Sequence, residues 1–331
     1  MTTATNLEIA LEAQGSQPNF RQDKILPLIT GRVSIEGVTL KPSGPHATAG
    51  MYDSSRFQDG EFGLLDTNIG DVIPAINAGW NIVCLPHFTK YKPLLNYLWV
   101  RSDRGINAPK DLEGKTIATS GWGVVTTLTR EYLERFHNVD PTKLSWVAGG
   151  AGRWELYKET TVAYPGDRKR QEQRLLDGEA DGCTGDITDG KAWAQLEESP
   201  DKVKRLFPNY SEVHRQLFKE RGIYTPAHIM VMGGKLNQQH PGLARKVFDA
   251  LEQSRAMAYA DALGDGTSYS LLMDARELVR DQLKQVGDPW TQGVTAQKSN
   301  IEFLLDAYYH QGQTKQRLTL EQVFAESTLD T

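Results

Sequence analysis

The stretch GKTIATSGWGVVTTLTREYLERFHN, Gly114–Asn138, holds a short apolar run, a glycine-bearing turn and a long periodic segment, in that order. GKTIATS (Gly114–Ser120) has the length of a strand. Past the turn, Val125, Leu128, Tyr132 and Phe136 recur at helical spacing, which predicts an amphipathic helix over Val124–Asn138. Strand, turn, helix is the repeating unit of parallel sheets, and the same order returns along the chain. Gly31–Lys41 alternates and is strand-like. Asp71–Trp80 reads as a helix with Pro74 tolerated in its first turn. Ile82–Phe88 and Tyr97–Asp103 are short apolar runs. Helices are predicted over Gly242–Leu263 and over Ser299–Gln311, the second stopped by Gly312. The fold class is α/β.

The chain has 331 residues, more than a single core usually serves. Two lobes are expected. No repeat and no Gly/Ser linker separates them, so strands should cross a hinge near Val100–Ser102 and near Pro226–Met230. The expected division is 1–101 with 229–331 as a discontinuous first lobe, and 102–228 inserted as the second. The net charge of −5 carries no basic excess for a phosphate backbone, which argues against nucleic acid. No apolar run approaches the roughly 20 residues of a membrane span. Glu8 and Glu12 interrupt the apolar stretch near the N-terminus, so no signal peptide is expected. Cys84 and Cys183 are isolated, which suits a reducing compartment without disulfides or a thiolate zinc site. A cytoplasmic location is the expectation.

Several segments carry candidate chemistry. In the turn after Gly114–Ser120, backbone N–H groups of Ser120, Gly121, Trp122 and Gly123 would suit a carboxylate or phosphate at a helix start. Gly121 and Gly123 imitate a dinucleotide fingerprint, but Thr126 stands where the third glycine belongs. A plain tight turn is the alternative. The seven histidines form no HExxH pattern, and there is no GxSxG elbow and no P-loop. No metal and no cofactor are expected. His87 ends an apolar run, where α/β sheets bind ligands, or is a surface loop residue. In GIYTPAHIMVM (Gly222–Met232), Pro226 favours extended geometry before it, and alternation puts His228, Met230 and Met232 on one face. Histidine is the side chain best suited to exchange a proton at neutral pH, although a lone strand histidine is commonly just packed. Asp66, Thr67 and Asn68 follow a short apolar run, as a ligand loop or as a helix cap. Asp23 and Lys24 precede another, and as surface charges would need no further explanation.

Several of these stretches together resemble the 4,5-dihydroxyphthalate decarboxylase family, which is similar in fold to the type II periplasmic binding proteins. The most specific is GDPWTQGVTAQKSNIEFLLDAYYHQGQTKQRLTLEQVFAEST (Gly287–Thr328). RLFPNY (Arg205–Tyr210) before GIYTPAHIMVM, DLEGKTIAT (Asp111–Thr119), SWVAGGAGR (Ser145–Arg153) and QDKILPLITGRVSIEGV (Gln22–Val38) resemble family segments in the same order. The resemblance implies two lobes, a hinge and an interlobe cleft. It singles out Asp23 and Lys24, where the family usually has Asp and Arg, and Arg153, His228 and Trp290, where residue types match. It also departs. Tyr91, Leu94 and Leu95 stand at Arg, Arg and His positions, and Asp66-Thr67-Asn68 replaces Glu-Leu-Ser. Gln292 replaces a Tyr, and Gln297-Lys298 an Asn-Arg pair. A lysine does not reproduce the bidentate fork of arginine, so a substrate other than phthalate is expected.

The resemblance implies a decarboxylase-like lyase, with no cofactor, acting on a hydroxylated aromatic or similar cyclic carboxylic acid. His228 would be the general acid/base and Asp66 would orient a hydroxyl or the histidine. Lys24 and Arg153 would bind carboxylate or phenolate, and Trp122 or Trp290 would stack on the ring. Asp23, Asn68, His87 and the Ser120–Gly123 turn complete the expected binding set. The partner is then a small aromatic or cyclic carboxylate, with no nucleic acid and no membrane; a homo-oligomer stays open. Two alternatives remain: a non-catalytic solute-binding protein of the ABC-transporter type, or a hydrolase or isomerase acting on a cyclic substrate in the same cleft.

Overall fold

Gly114–Asn138 folds into a strand, Thr116–Thr119, and a helix, Val124–His137. Asn138 ends that helix in the left-handed conformation (φ 53°), one residue short of the expected boundary. The computed structural model describes residues 6–13, 24–42, 55–149, 154–158, 160–167, 169–264, 272 and 274–331. Among these the strands are β1 (Leu7–Ala13), β2 (Val38–Pro42), β3 (Leu64–Asn68), β4 (Ile82–Tyr91), β5 (Trp99–Arg101), β6 (Thr116–Thr119), β7 (Ser145–Ala148), β8 (Val162–Ala163), β9 (Gly182–Thr184), β10 (Val203–Arg205) and β11 (Pro226–Gly233).

The chain divides into two units. Met1–Tyr91, His228–Ile301 and Thr319–Thr331 form the first; Lys92–Ala227 and Glu302–Leu318 form the second. The sequence places the first crossing near Val100–Ser102, whereas the units part after Tyr91. Glu302–Leu318, grouped by sequence with the first lobe, packs with the second unit.

The first unit is built on a sheet of order β2-β1-β3-β11-β4. β1 runs parallel to β2 and β3, and β11 runs antiparallel to β3 with His228 opposite Asn68 and Met230 opposite Asp66. One face buries Ile9, Leu11, Leu85, Met230 and Met232 against Val247, Phe248 and Leu251 of the Leu243–Leu263 helix. The other turns Leu65, Thr67 and Val231 toward Val72 and Ala75. The central strands β3 and β11 therefore alternate between two covered faces, which is the burial an α/β sheet requires.

Two sequence expectations change here. Gly31–Lys41 is a strand only from Val38 onward, because Gly31 and Gly37 turn the chain at φ 77° and 71°. The Asp71–Trp80 helix instead runs Ile69–Asn77, because the Asn68 side chain caps it by accepting from the Gly70 N–H at 2.8 Å. Pro74 thus sits inside the helix and not in its first turn.

The second unit carries a sheet of order β10-β5-β9-β6-β7-β8. β6 lies parallel to β7 and β9, and β5 antiparallel to β9 and β10. Its core joins Trp99, Ala118, Leu175, Cys183, Leu196 and Val203. No helix among the described residues is long and apolar enough to cross a membrane.

Candidate active site

Polar groups are buried together at one end of the first unit's sheet. Asp66 on β3 faces Met230, so His228, two residues back on β11, is its diagonal neighbour on the same face. Asp66 is 2% exposed. Its Oδ1 lies 3.4 Å from His228 Nδ1 and accepts from Thr89 Oγ1 at 2.6 Å. Thr89 reaches it from β4, where His87 and Tyr91 share its parity. The Asp66 carboxyl is pushed up by burial, but the His228, Thr89 and Lys24 contacts outweigh that and hold it below the ordinary carboxylate value. It is therefore a carboxylate at neutral pH, and it faces the Nδ1 side of the His228 ring.

Lys24 donates to the Thr89 carbonyl at 2.8 Å and sets its ammonium 3.3 Å from the centre of the Trp290 ring. Tyr91 meets the same ring edge-on at 4.7 Å. Trp290 is placed by the GDPW turn. Gln292 accepts from the Phe88 N–H at 2.6 Å and donates to the Phe88 carbonyl at 3.3 Å, so the turn docks on the outer edge of β4. Asp288 holds the turn from behind, accepting from the Trp290 N–H at 2.8 Å, from Tyr259 Oη at 2.6 Å and from Arg255 Nη1 at 2.6 Å.

His87 is fully buried on this face, and neither ring nitrogen has a hydrogen-bond partner among the described residues. Its Nε2 lies 3.6 Å from Glu252 Oε1. Burial, with the charges of Lys24 and Arg255, pushes its pKa down to about 3, so it is a neutral imidazole at every physiological pH. Burial in turn raises the Glu252 carboxyl. His87 thus sits inside the sheet and is not a surface loop residue.

The structure accordingly brings Lys24, Asp66, His87, His228 and Trp290 into one cluster. Asn68 belongs to the same strand but spends its carboxamide on the helix cap. Ser120, Gly121, Trp122 and Gly123 lie in the second unit, between β6 and the Val124–His137 helix. There Trp122 packs edge-on to Trp146 at 5.4 Å, a core arrangement for that ring. Asp23 and Arg153 fall outside the described residues. Sequence reasoning missed Thr89, Glu252, Arg255, Tyr259 and Asp288. Thr89 was within reach through alternation from His87. The others lie on helices or in the GDPW turn, and only tertiary packing relates them to the sheet.

These two α/β units define a class: the fold is that of the type II periplasmic binding proteins. The periplasmic sulfonate-binding protein SsuA of Methylobacillus flagellatus superposes with a TM-score of 0.59 at 12% identity, covering 97% of this chain and 92% of that one. The aliphatic sulphonate-binding protein SsuA of Escherichia coli gives 0.57 at 14%, covering 96% and 91%. A model of the NMT1/THI5-like family matches residues 62–159. The 4,5-dihydroxyphthalate decarboxylase of Comamonas testosteroni is 23% identical over 319 residues, 93% of this chain and 95% of that protein. That of Pseudomonas putida is 23% identical over 146 residues, 44% of this chain and 56% of that protein. The chain is a divergent relative of the 4,5-dihydroxyphthalate decarboxylases.

Proposed function

We propose that the protein decarboxylates a hydroxylated aromatic, or similar cyclic, carboxylic acid, with Asp66 and His228 as its proton-handling pair. The observation that carries this reading is the buried Asp66 carboxylate beside His228 Nδ1 at 3.4 Å. The similarity to a protein named 4,5-dihydroxyphthalate decarboxylase, over 95% of that protein's length, supports it.

The chemistry asks for few parts. A ring hydroxyl ortho or para to the carboxylate pushes electron density onto the carboxylate-bearing carbon. That carbon takes the proton from His228 Nε2. The bond to the carboxylate then breaks, its electron pair restores the aromatic ring, and CO2 departs. Water returns the proton to the imidazole, so one proton is consumed for each CO2 released. No electrons are exchanged with a redox partner. Asp66 fixes the ring orientation and balances the imidazolium. Lys24 supplies a fixed positive charge for a carboxylate or phenolate.

Where the family resemblance has Arg, Arg and His, this chain has Tyr91 against Trp290 and buried Leu94 and Leu95. None of the three offers a fork to a carboxylate, so an acid other than 4,5-dihydroxyphthalate is the better substrate. A second reading, solute binding without turnover, is favoured by the likeness in fold to the sulfonate-binding proteins. Incubation with a panel of hydroxylated benzoic and phthalic acids separates the two. CO2 release with loss of the acid is the expected result. A thermal shift with the acid unconsumed would establish the second reading instead.

A further inference from the structure

The second unit holds a buried cation that the first unit's chemistry does not use. Arg130 lies on the Val124–His137 helix and is 6% exposed. Its guanidinium carbon sits 4.8 Å from the Trp122 ring centre and 5.4 Å from that of Trp146. Side chains on a helix lean toward its N-terminus, which brings Arg130 back toward the first turn. Its Nε and Nη1 are buried without a hydrogen-bond partner among the described residues. Glu134 lies one turn further on and accepts from Gln311 at 2.7 Å. Burial pushes the guanidinium down to about 10, with Glu134 pulling the other way.

The neighbourhood adds a second positive potential. Trp122 immediately precedes Gly123, the N-cap, and no side chain caps the helix there. The first-turn N–H groups of Val124, Val125 and Thr126 therefore point out of the helix with the positive end of its dipole. A fork of donors and an uncapped helix start together are uncompensated without an anion. The place is also the carboxyl end of parallel strands, where α/β folds take ligands. Thr119, which ends β6, pairs with Thr184, which ends the parallel β9, and the Thr184 hydroxyl is buried without a partner among the described residues.

We propose that Arg130, boxed by Trp122 and Trp146, and the uncapped first turn of the Val124–His137 helix form an oxyanion-binding site in the second unit. The ligand chemistry is a planar or tetrahedral oxyanion on a small molecule, a carboxylate or a sulfonate, gripped by the guanidinium edge with the indoles flanking it. This site is independent of the proton chemistry assigned to His228, since a binding protein needs it as much as an enzyme does.

Calorimetric titration of the full chain with benzoate, methanesulfonate and inorganic phosphate, each in its own arm, tests the site. Binding of benzoate or methanesulfonate in the millimolar range or tighter is expected, and the stronger of the two names the source. In Arg130→Met that affinity should fall at least tenfold, while Arg280→Met, a surface change in the first unit, retains it. Arg130→Lys keeps the charge without the fork and should fall about fivefold; it decides the matter if Arg130→Met does not fold. No binding in any arm, phosphate alone bound, wild-type affinity in the folded Arg130 variants, or an equal loss in Arg280→Met would each overturn the proposal. None of these outcomes depends on whether CO2 is released.

Discussion

At the scale of single residues, burial decides what each titratable group does. His87 and His228 are both strand histidines on the same sheet face, yet only His228 has a carboxylate at its Nδ1. His87 has its pKa lowered to about 3, so the unfolded chain binds a proton that the folded chain refuses. Stability from this group is full above the ordinary histidine value near 6.5 and is lost as pH falls toward 3. Between pH 7 and pH 5 it amounts to about 2 kcal/mol. Urea unfolding of His87→Leu should therefore show roughly that much less loss over the same interval; an unchanged pH dependence would contradict the burial argument. Thr89→Val removes the hydroxyl that donates to the buried Asp66 carboxylate. A destabilisation of about 2 kcal/mol is expected, since a hydrogen bond to a buried charge is lost. The Asp66–Thr89 contact was invisible in the sequence because the two residues lie on strands separated by 23 positions. The placement of His228 on one strand face with Met230 was legible, since strand alternation suffices for it.

At the scale of elements, local pattern carried the fold and tertiary partners decided the rest. Gly114–Asn138 was readable as strand, turn and helix because its periodicity switches across two glycines. β1 was not readable. Glu8 and Glu12 break its apolar run while Leu7, Ile9 and Leu11 keep one face apolar, and Glu12 is buried where Arg56, 44 residues on, pairs with it. Asn68 was ambiguous between ligand loop and cap, and its distance to the Gly70 N–H settles it as a cap. Asn68→Ala is then expected to cost about 1 kcal/mol in thermal unfolding. The GDPW turn was recognisable as a motif, but its purpose was not. Gln292 satisfies both backbone groups of Phe88 on an edge that no strand covers there. Gln292→Met keeps the length and removes the amide, leaving a buried N–H unpaired. A loss of roughly 1–3 kcal/mol is expected, with Trp290 emission shifted as the turn loosens.

At the scale of the molecule, the sequence called for a discontinuous first lobe with 102–228 inserted, whereas the second unit is itself discontinuous, joining Lys92–Ala227 with Glu302–Leu318. The crossing positions depended on packing that no local signal reports. The return of Glu302–Leu318 to the second unit follows from Phe303, which stacks on Phe136, and from Gln313, which donates to Thr127. A helix read from its period alone carries no label for the unit it joins. The same fold serves the SsuA solute-binding proteins, so architecture alone does not separate binding from catalysis. That distinction rests on His228. The measurement that tests it most directly is CO2 release by His228→Gln, folded by circular dichroism, from the hydroxylated acid the wild type turns over fastest. A fall of about 100-fold or more is expected, the usual contribution of a positioned general acid. Release at the wild-type rate would contradict the assignment of His228 as the proton donor.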